Sequence, residues 1–133
     1  MQDTPISTRQ ALPAAEVAAL LRELGQRIEL SGDSPFKARA YFRAAETLLT
    51  LTEPLEHVIA EHRLRELPGV GAAIEEKIET LARSGTHTTL ERLRAEVPAS
   101  ALELLHVPGL PAIKARQLFS ELKIESLEQL EAA

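Results

Sequence analysis

One short segment of this sequence occurs twice. Residues 67–78 read LPGVGAAIEEKI and residues 107–118 read VPGLPAIKARQL, at an offset of 40 residues. Each copy runs apolar–Pro–Gly–apolar and continues, after one further small or turn-forming residue, into a stretch with helical patterning. Proline and glycine favour tight turns and interrupt regular helices. The repeat therefore predicts two sharp turns, each of which leads directly into a helix.

The remaining sequence also shows helical patterning. Between Pro13 and Leu30 the apolar residues recur every three or four positions, and Gly32 follows as a stop signal. Ser34-Pro35 provides a capping residue and a proline suited to the first helical position. No segment shows sustained strand alternation, and aromatic residues make up only 3% of the chain. We therefore predict an all-α fold, with later helices over residues 34–51, 52–62, 72–83, 88–97, 99–107, 112–122 and from 126 onward.

Ser84-Gly85 separates two halves that carry one turn each. We expect a flexible N-terminus over residues 1–12, a small helical bundle with the first turn over 13–84, and a second helical subdomain with the second turn over 85–133. Thr88 and Glu91 have the spacing of a capping box, which favours a helix start just after this boundary.

Composition excludes several functional classes. The chain has no cysteine, which excludes disulfides, thiolate catalysis and zinc sites built on cysteine. It has no apolar run long enough to span a membrane, and we expect a soluble cytoplasmic protein. Its two aspartates, Asp3 and Asp33, lie far apart, so these residues hold no two-metal site for nucleotidyl transfer.

The distribution of charge is more informative than its total. A net charge of −5 argues against a partner that is a polyanion. However, residues 34–45 contain Lys37, Arg39 and Arg43 without any acid, and residues 112–120 contain Lys114 and Arg116 without one before Glu121. These two basic segments are the candidate sites for side-chain contacts with phosphate.

Tyr41 lies four residues after Lys37, and Arg43 lies four residues after Arg39. Residues at this spacing share a helix face. A cationic stripe with one aromatic ring suits a 5′ end or an unpaired base. The alternative is an ordinary solvated helix face.

The repeated turn has the chemistry of a phosphate-binding hairpin. The first N–H groups of a helix lack internal partners, and the helix dipole adds partial positive charge there. Gly69 permits a positive φ, and Gly71 permits close approach to the backbone. We therefore expect main-chain contacts to phosphate, independent of base sequence, at Gly69, Val70, Gly71 and Gly109.

The second turn is expected to bind phosphate less well, because Pro111 occupies the position of Gly71 and has no N–H. Two other interpretations stay open. In one, the Pro-Gly pairs serve only to connect helices. In the other, the helical bundle is a scaffold for other proteins, which the acidic net charge favours.

The order of four segments resembles the N-terminal region of family X DNA polymerases, over residues 13–133. The segments are SPFKARAYFRAAETL, LRELPGVGAAIEEKI, VPGLPAIKARQLF and ESLEQLEAA. The resemblance implies a lyase-like N-terminal domain followed by a helix-hairpin-helix subdomain. It also implies binding to gapped, nicked or 5′-phosphorylated DNA in base-excision or end-joining repair. We expect the chain to be a monomer. Whether the chain is part of a longer polymerase or free-standing is open at this stage.

The same resemblance implies roles for particular residues. Lys77 matches a lysine that forms a Schiff base with a 5′-deoxyribose phosphate, Lys37 matches a lysine of the 5′-phosphate pocket, and Tyr41 matches a tyrosine beside it. Main-chain carbonyls of the two hairpins match ligands of a monovalent cation (Na⁺ or K⁺): Arg65, Leu67 and Val70 in the first, and, more weakly, Leu105, Val107 and Leu110 in the second.

Two departures weaken the resemblance to a lyase. Ala73 replaces a pocket lysine and Phe36 replaces a pocket histidine. Schiff-base chemistry also needs a neutral amine, which burial favours. Lys77 shares a helix face with uncharged residues, but acidic neighbours would stabilise its ammonium form: Glu75, Glu76 and Glu79. The alternative is a lysine whose stem covers the core while its amine reaches water, and lyase activity is left open.

Overall fold

The computed structural model describes residues 12–31 and 34–122, with side chains up to Phe119. Within these ranges the chain is helical and contains no strand, which confirms the all-α prediction. The α-helices are α1 (Ala14–Ser31), α2 (Pro35–Leu49), α3 (Leu55–Ala60), α4 (Ala72–Ser84), α5 (Thr88–Glu96) and α6 (Ala112–Leu122). Two 3₁₀ segments, Leu64–Glu66 and Ala99–His106, precede α4 and α6 respectively. None of the helices described is long and apolar enough to cross a lipid bilayer.

Several helix ends follow from local sequence. The hydroxyl of Ser34 accepts the N–H of Phe36 at 3.2 Å, and α2 begins at Pro35. At the end of α4, Gly85 adopts a left-handed conformation with φ 79° and donates its N–H to the carbonyl of Leu81. The predicted cap of α2 and the predicted stop of α4 are confirmed.

Two predicted helices differ from those observed. The third begins at Leu55 with Pro54 as its N-cap, three residues later than the sequence suggested. The sixth is a 3₁₀ helix, Ala99–His106, in which the buried residues Ala101 and Leu104 are three positions apart. A spacing of three suits the 3₁₀ repeat, and eight residues are too few to distinguish it from an α-helix by pattern. Residues 1–11 of the expected flexible N-terminus and the expected helix from Ser126 lie outside the described residues.

The chain forms two compact units, and neither is continuous in sequence. One combines the residues up to Arg22 with Ala40–His87, and the other combines Glu23–Arg39 with the residues from Thr88 onward. In the first unit, the buried residues include Leu21, Leu48, Leu64, Ile78 and Leu81. In the second, the core consists of Leu30, Val97, Ala101, Leu104 and Ala115.

A buried arginine connects helices within the second unit. Arg27 is 4% exposed and donates through Nη1 to the carbonyl of Val97 and through Nε to Glu23 Oε2 at 2.8 Å. Arg94 of α5 donates to both oxygens of Glu23, at 2.7 and 2.9 Å. Glu23 thus accepts hydrogen bonds from two guanidinium groups, one on its own helix and one on α5.

Candidate nucleic-acid interface

The first hairpin contains a type II β-turn over residues 67–70. The N–H of Val70 donates to the carbonyl of Leu67 at 3.2 Å, and Gly69 has φ 82°. Proline at the second position and a glycine with positive φ at the third are the preferred residues of this turn. The structure confirms that Gly69 adopts a positive φ, a conformation that is energetically unfavourable for residues with a Cβ atom.

The turn leads directly into the start of α4, which is exposed. Gly71 is the N-cap of α4, in an extended conformation with φ −99°, and no side chain caps the helix. Gly71, Ala72 and Ala73 are all exposed. In the described part of the chain, the N–H groups of Gly69 and Gly71 donate to no protein acceptor. These amides are available to an external anion.

Val70 corrects one expectation. Its N–H is used inside the turn, and its side chain is 6% exposed. The prediction that the amide of Val70 contacts phosphate is therefore wrong. The available donors of the first hairpin are the amides of the two glycines and of the first turn of α4.

Helix α2 holds the first hairpin in place. The hydroxyl of Thr47 donates to the carbonyl of Pro68 at 2.9 Å. One turn earlier on the same helix, the side chain of Arg43 packs over Gly69. Pattern analysis could not find the contact between Thr47 and Pro68, because 21 residues separate them in sequence.

The second hairpin repeats the turn, but its helix start lacks one main-chain donor. The N–H of Leu110 donates to the carbonyl of Val107 at 3.0 Å, and Gly109 has φ 79°. Pro111 precedes α6, and its carbonyl accepts the N–H groups of Lys114 and Ala115. Because Pro111 has no N–H, this hairpin offers fewer main-chain donors than the first.

Of the two basic residues on α6, Lys114 is the more accessible. Its side chain is exposed. Arg116 is half-buried and lines a cavity of about 200 Å³ together with Glu29, Pro35 and Ile113. Lys114 is therefore better placed to reach a phosphate in solution.

The beginning of α2 presents a basic and aromatic surface. Lys37 and Arg39 are exposed, and Phe36 is 74% exposed. The guanidinium of Arg39 lies 4.7 Å from the centre of the Phe36 ring. Phe36 thus contributes an accessible aromatic face where the resemblance expected a histidine.

Tyr41 is not part of that surface. Its side chain is 6% exposed, so its ring belongs to the core. The expectation that Tyr41 offers its ring to an unpaired base is wrong. The helical spacing of Lys37 and Tyr41 predicted a shared face but not how deeply that face is buried.

Lys77 lies on a mostly buried part of α4. Its side chain is 16% exposed, and its Nζ lies 3.9 Å from Glu76 Oε1. The stem packs into the protein, as its apolar neighbours on the helix predicted. The amine at the end of this stem is thus paired with a carboxylate of the same helix.

Glu76 has a second partner that sequence reasoning missed. Nε2 of His87 lies 2.9 Å from Oε1 and 3.0 Å from Oε2 of Glu76. Thr80 donates to the same carboxylate at 3.0 Å. The hydrogen bond from His87 lowers the pKa of Glu76 below its ordinary value and outweighs the opposing effect of burial, and the hydrogen bond from Thr80 lowers it further. The carboxylate beside Lys77 is therefore held in place and charged.

The carbonyls expected to hold a monovalent cation lie in the two turns and in the 3₁₀ segments that precede them. Leu67 and Val107 already accept one N–H each within the turn. A carbonyl oxygen has two lone pairs, so each could still face a cation. Carbonyl oxygens are the kind of ligand that Na⁺ and K⁺ take, and the site stays a prediction.

Comparison with known proteins places the chain in a family. A family model described as a helix-hairpin-helix domain matches residues 13–87. The chain is 32% identical over 118 residues to the DNA polymerase/3′-5′ exonuclease PolX of Bacillus subtilis (strain 168), and the match covers 89% of this chain and 20% of that protein. The chain thus spans about a fifth of the length of this relative. The resemblance to family X DNA polymerases is confirmed, and the chain belongs to the helix-hairpin-helix domain family.

Proposed function

We propose that this chain binds DNA through the phosphate backbone, as part of a family X DNA polymerase. The observation that carries the proposal is the exposed, uncapped start of α4 behind a type II turn. Membership of the helix-hairpin-helix family and similarity to a bacterial DNA polymerase both support DNA as the partner.

The chemistry of the first hairpin suits a phosphate oxygen. Unpaired amides at a helix start donate to an anion, and the helix dipole favours negative charge at that position. Glu75, in the first turn of α4, would oppose an anion, but Arg65 lies 3.6 Å from its carboxylate and offsets its charge. Binding through main-chain donors needs little net positive charge, which reconciles DNA as a partner with a net charge of −5.

The preferred substrate that we propose is a gapped or nicked duplex with a 5′-phosphate, as arises in DNA repair. Lys37 and Arg39 are both exposed near the start of α2, where either can neutralise a terminal phosphate. We further propose that the protein acts as a soluble cytoplasmic monomer, and that Na⁺ or K⁺ bound by the hairpin carbonyls assists phosphate binding.

Titration of gapped duplexes tests this function. A one-nucleotide gap with a 5′-phosphate, the same gap with a 5′-hydroxyl and an intact duplex are compared by fluorescence anisotropy at several salt concentrations. We expect the phosphorylated gap to bind most tightly and all affinities to fall with salt, because phosphate contacts release counterions. An affinity that changes neither with salt concentration nor with removal of the 5′-phosphate would contradict the proposal. Absence of DNA binding at low salt would favour the alternative of a protein-interaction scaffold.

A second candidate function is removal of a 5′-deoxyribose phosphate by Lys77. The observation in its favour is the burial of the Lys77 side chain, which is 16% exposed. The carboxylate of Glu76 opposes it, as do Ala73 and Phe36 in place of the family's basic residues. We therefore propose DNA binding as the main function and lyase chemistry as a weak additional activity.

A further inference from the structure

We propose that Arg43 is the side-chain cation of the first hairpin, and that it binds the same DNA phosphate as the amides at the start of α4. This inference rests on the proposed binding of DNA backbone at that hairpin. The proposed site therefore combines two segments. Arg43 belongs to α2, whereas the hairpin turn begins 24 residues later, at Leu67.

The contact between Arg43 and Gly69 is the first support. A Cβ atom built on Gly69 would lie 3.0 Å from Cδ of Arg43 and 3.1 Å from its Cγ and Nε. The arginine therefore lies directly across the glycine, with the guanidinium end of its side chain at the turn. Glycine at this position serves two purposes: it adopts the positive φ of the turn and leaves room for the arginine.

The second support is that Arg43 is exposed and has no counter-charge within the part of the chain that the structure describes. In the first unit, Arg63 pairs with Glu53 and Glu61, and Arg65 pairs with Glu75. Among the residues described, the side chain of Arg43 forms neither an ion pair nor a hydrogen bond. A guanidinium held beside vacant amides without a carboxylate is suited to a bidentate contact with phosphate.

The third support is the way in which α2 is fixed to the turn. Thr47 follows Arg43 by four residues and therefore lies on the same helix face. Its hydrogen bond to Pro68 attaches this face to the hairpin. Arg43 is thus presented by an anchored helix rather than by a mobile loop, which reduces the entropy lost when it binds.

The second hairpin lacks this arrangement. A Cβ built on Gly109 would have no atom within 4 Å in the described structure. No described side chain packs across that glycine, although its turn has nearly the same φ. The arginine is therefore a feature of the first hairpin and not a general consequence of the turn.

Substitution of Arg43 tests the inference on the full chain. Arg43→Met keeps an apolar stem over Gly69 and removes the charge, and Arg43→Lys keeps the charge without the planar fork. We expect Arg43→Met to bind the phosphorylated gapped duplex about tenfold more weakly at about 50 mM salt. We also expect the slope of log K against log salt to fall by about 0.9, the value for one phosphate contact. Arg43→Lys should retain the slope and lose part of the affinity.

Arg83→Met is the matched control, since Arg83 is an exposed arginine of the first unit at the far end of α4. It should leave affinity and slope close to those of the wild type. Arg43→Met combined with Gly71→Val should weaken binding by less than the product of the single effects, because both changes act on one phosphate.

The possible failures are distinguishable. If the wild type does not bind DNA in a salt-dependent way, the proposed function fails. If it binds and Gly71→Val weakens it, but Arg43→Met behaves like Arg83→Met, only the role of Arg43 is overturned. Phenylglyoxal modification of the wild type gives an answer that needs no variant to fold. Gapped DNA should protect Arg43, and modification at an unchanged rate, measured by mass spectrometry, would overturn the inference.

Discussion

At the scale of single residues, Gly69 and Gly71 lie two positions apart and yet meet different requirements. Gly69 has φ 82° and is covered by Arg43, whereas Gly71 has φ −99° and has no atom within 4 Å of an added Cβ. The first glycine is required by the fold. The second is not, so its lack of a side chain points to something outside the protein.

Alanine at each position should separate these two requirements. Gly69→Ala should lower the free energy of unfolding by about 1–2 kcal/mol, because alanine is strained at positive φ and its Cβ meets Arg43. Gly71→Ala should cost less than about 1 kcal/mol, since its backbone conformation suits any residue. Affinity for gapped DNA should nevertheless fall in Gly71→Ala. Urea unfolding and DNA titration of both variants check this, and a stability loss confined to Gly71→Ala would contradict it.

Lys77 allows a prediction about chemistry. Glu76 lies 3.9 Å from its Nζ and is held charged by His87. Glu76→Gln removes the ion pair with the amine of Lys77, so the amine should be freer to attack the aldehyde carbon of the incised abasic sugar. Borohydride trapping on an incised abasic duplex should therefore be weak in the wild type and several-fold stronger in Glu76→Gln.

Two controls define the meaning of that trapping experiment. Lys77→Ala should abolish the trapped product, and trapping that survives would assign the reaction to another amine. Thr80→Val leaves Glu76 and His87 in place and removes only one hydrogen bond to the carboxylate. It should trap much less than Glu76→Gln.

At the scale of elements, the features that could be predicted from the sequence are mostly helix ends and the turns between helices. The stop of α4 at Gly85 and the start of α2 at Pro35 follow from residues adjacent in sequence, and both predictions are confirmed. The two turns were likewise predictable, since Pro-Gly specifies their geometry. The position of Arg43 over Gly69 depends on packing between α2 and the hairpin, which no local pattern reports.

Burial explains the remaining errors. Tyr41 shares a helix face with Lys37 by spacing, but it is 6% exposed. Val70 lies between two candidate ligands, but its amide closes the turn. Sequence identifies which residues are neighbours along a helix or turn. It does not show which of them the neighbouring helices cover.

Glu23 should make the stability of the second unit depend on pH. The hydrogen bond from Arg94, then that from Arg27, lowers the pKa of Glu23 below its ordinary value, with burial opposing them. Its contribution to stability is therefore present above about pH 4.5 and is lost as the pH falls through the lowered folded-state value. We expect Glu23→Gln to cost about 1–2 kcal/mol near pH 7 and much less near pH 3.

Glu29, on the same helix, is the matched control for that experiment. Burial raises the pKa of Glu29, so its ionised form is disfavoured in the folded state. Glu29→Gln should leave stability near pH 7 unchanged or slightly higher. Urea unfolding of both variants at several pH values, followed by circular dichroism, gives the comparison. A constant loss in Glu23→Gln at all pH values would show that its ion pairs do not contribute as described.

At the scale of the whole molecule, a net charge of −5 has to be compatible with binding a polyanion. The candidate basic contacts are few: Lys37, Arg39, Arg43, Lys114 and Arg116. Each contact with phosphate contributes about 0.9 to the salt slope. The slope of log K against log salt should therefore not exceed about 4 or 5, and the rest of the affinity should come from main-chain amides.

Backbone binding also predicts indifference to base sequence. Two phosphorylated gapped duplexes with unrelated sequences and the same gap should bind with affinities within about twofold, because phosphates position a protein and only base edges specify sequence. The salt slopes on both duplexes should coincide, since the same contacts are made on each. Anisotropy titrations across a salt series measure both quantities together. A tenfold preference for one sequence would require contacts to bases, and neither hairpin turn provides side chains for that purpose, since each consists of a proline, a glycine and flanking apolar residues.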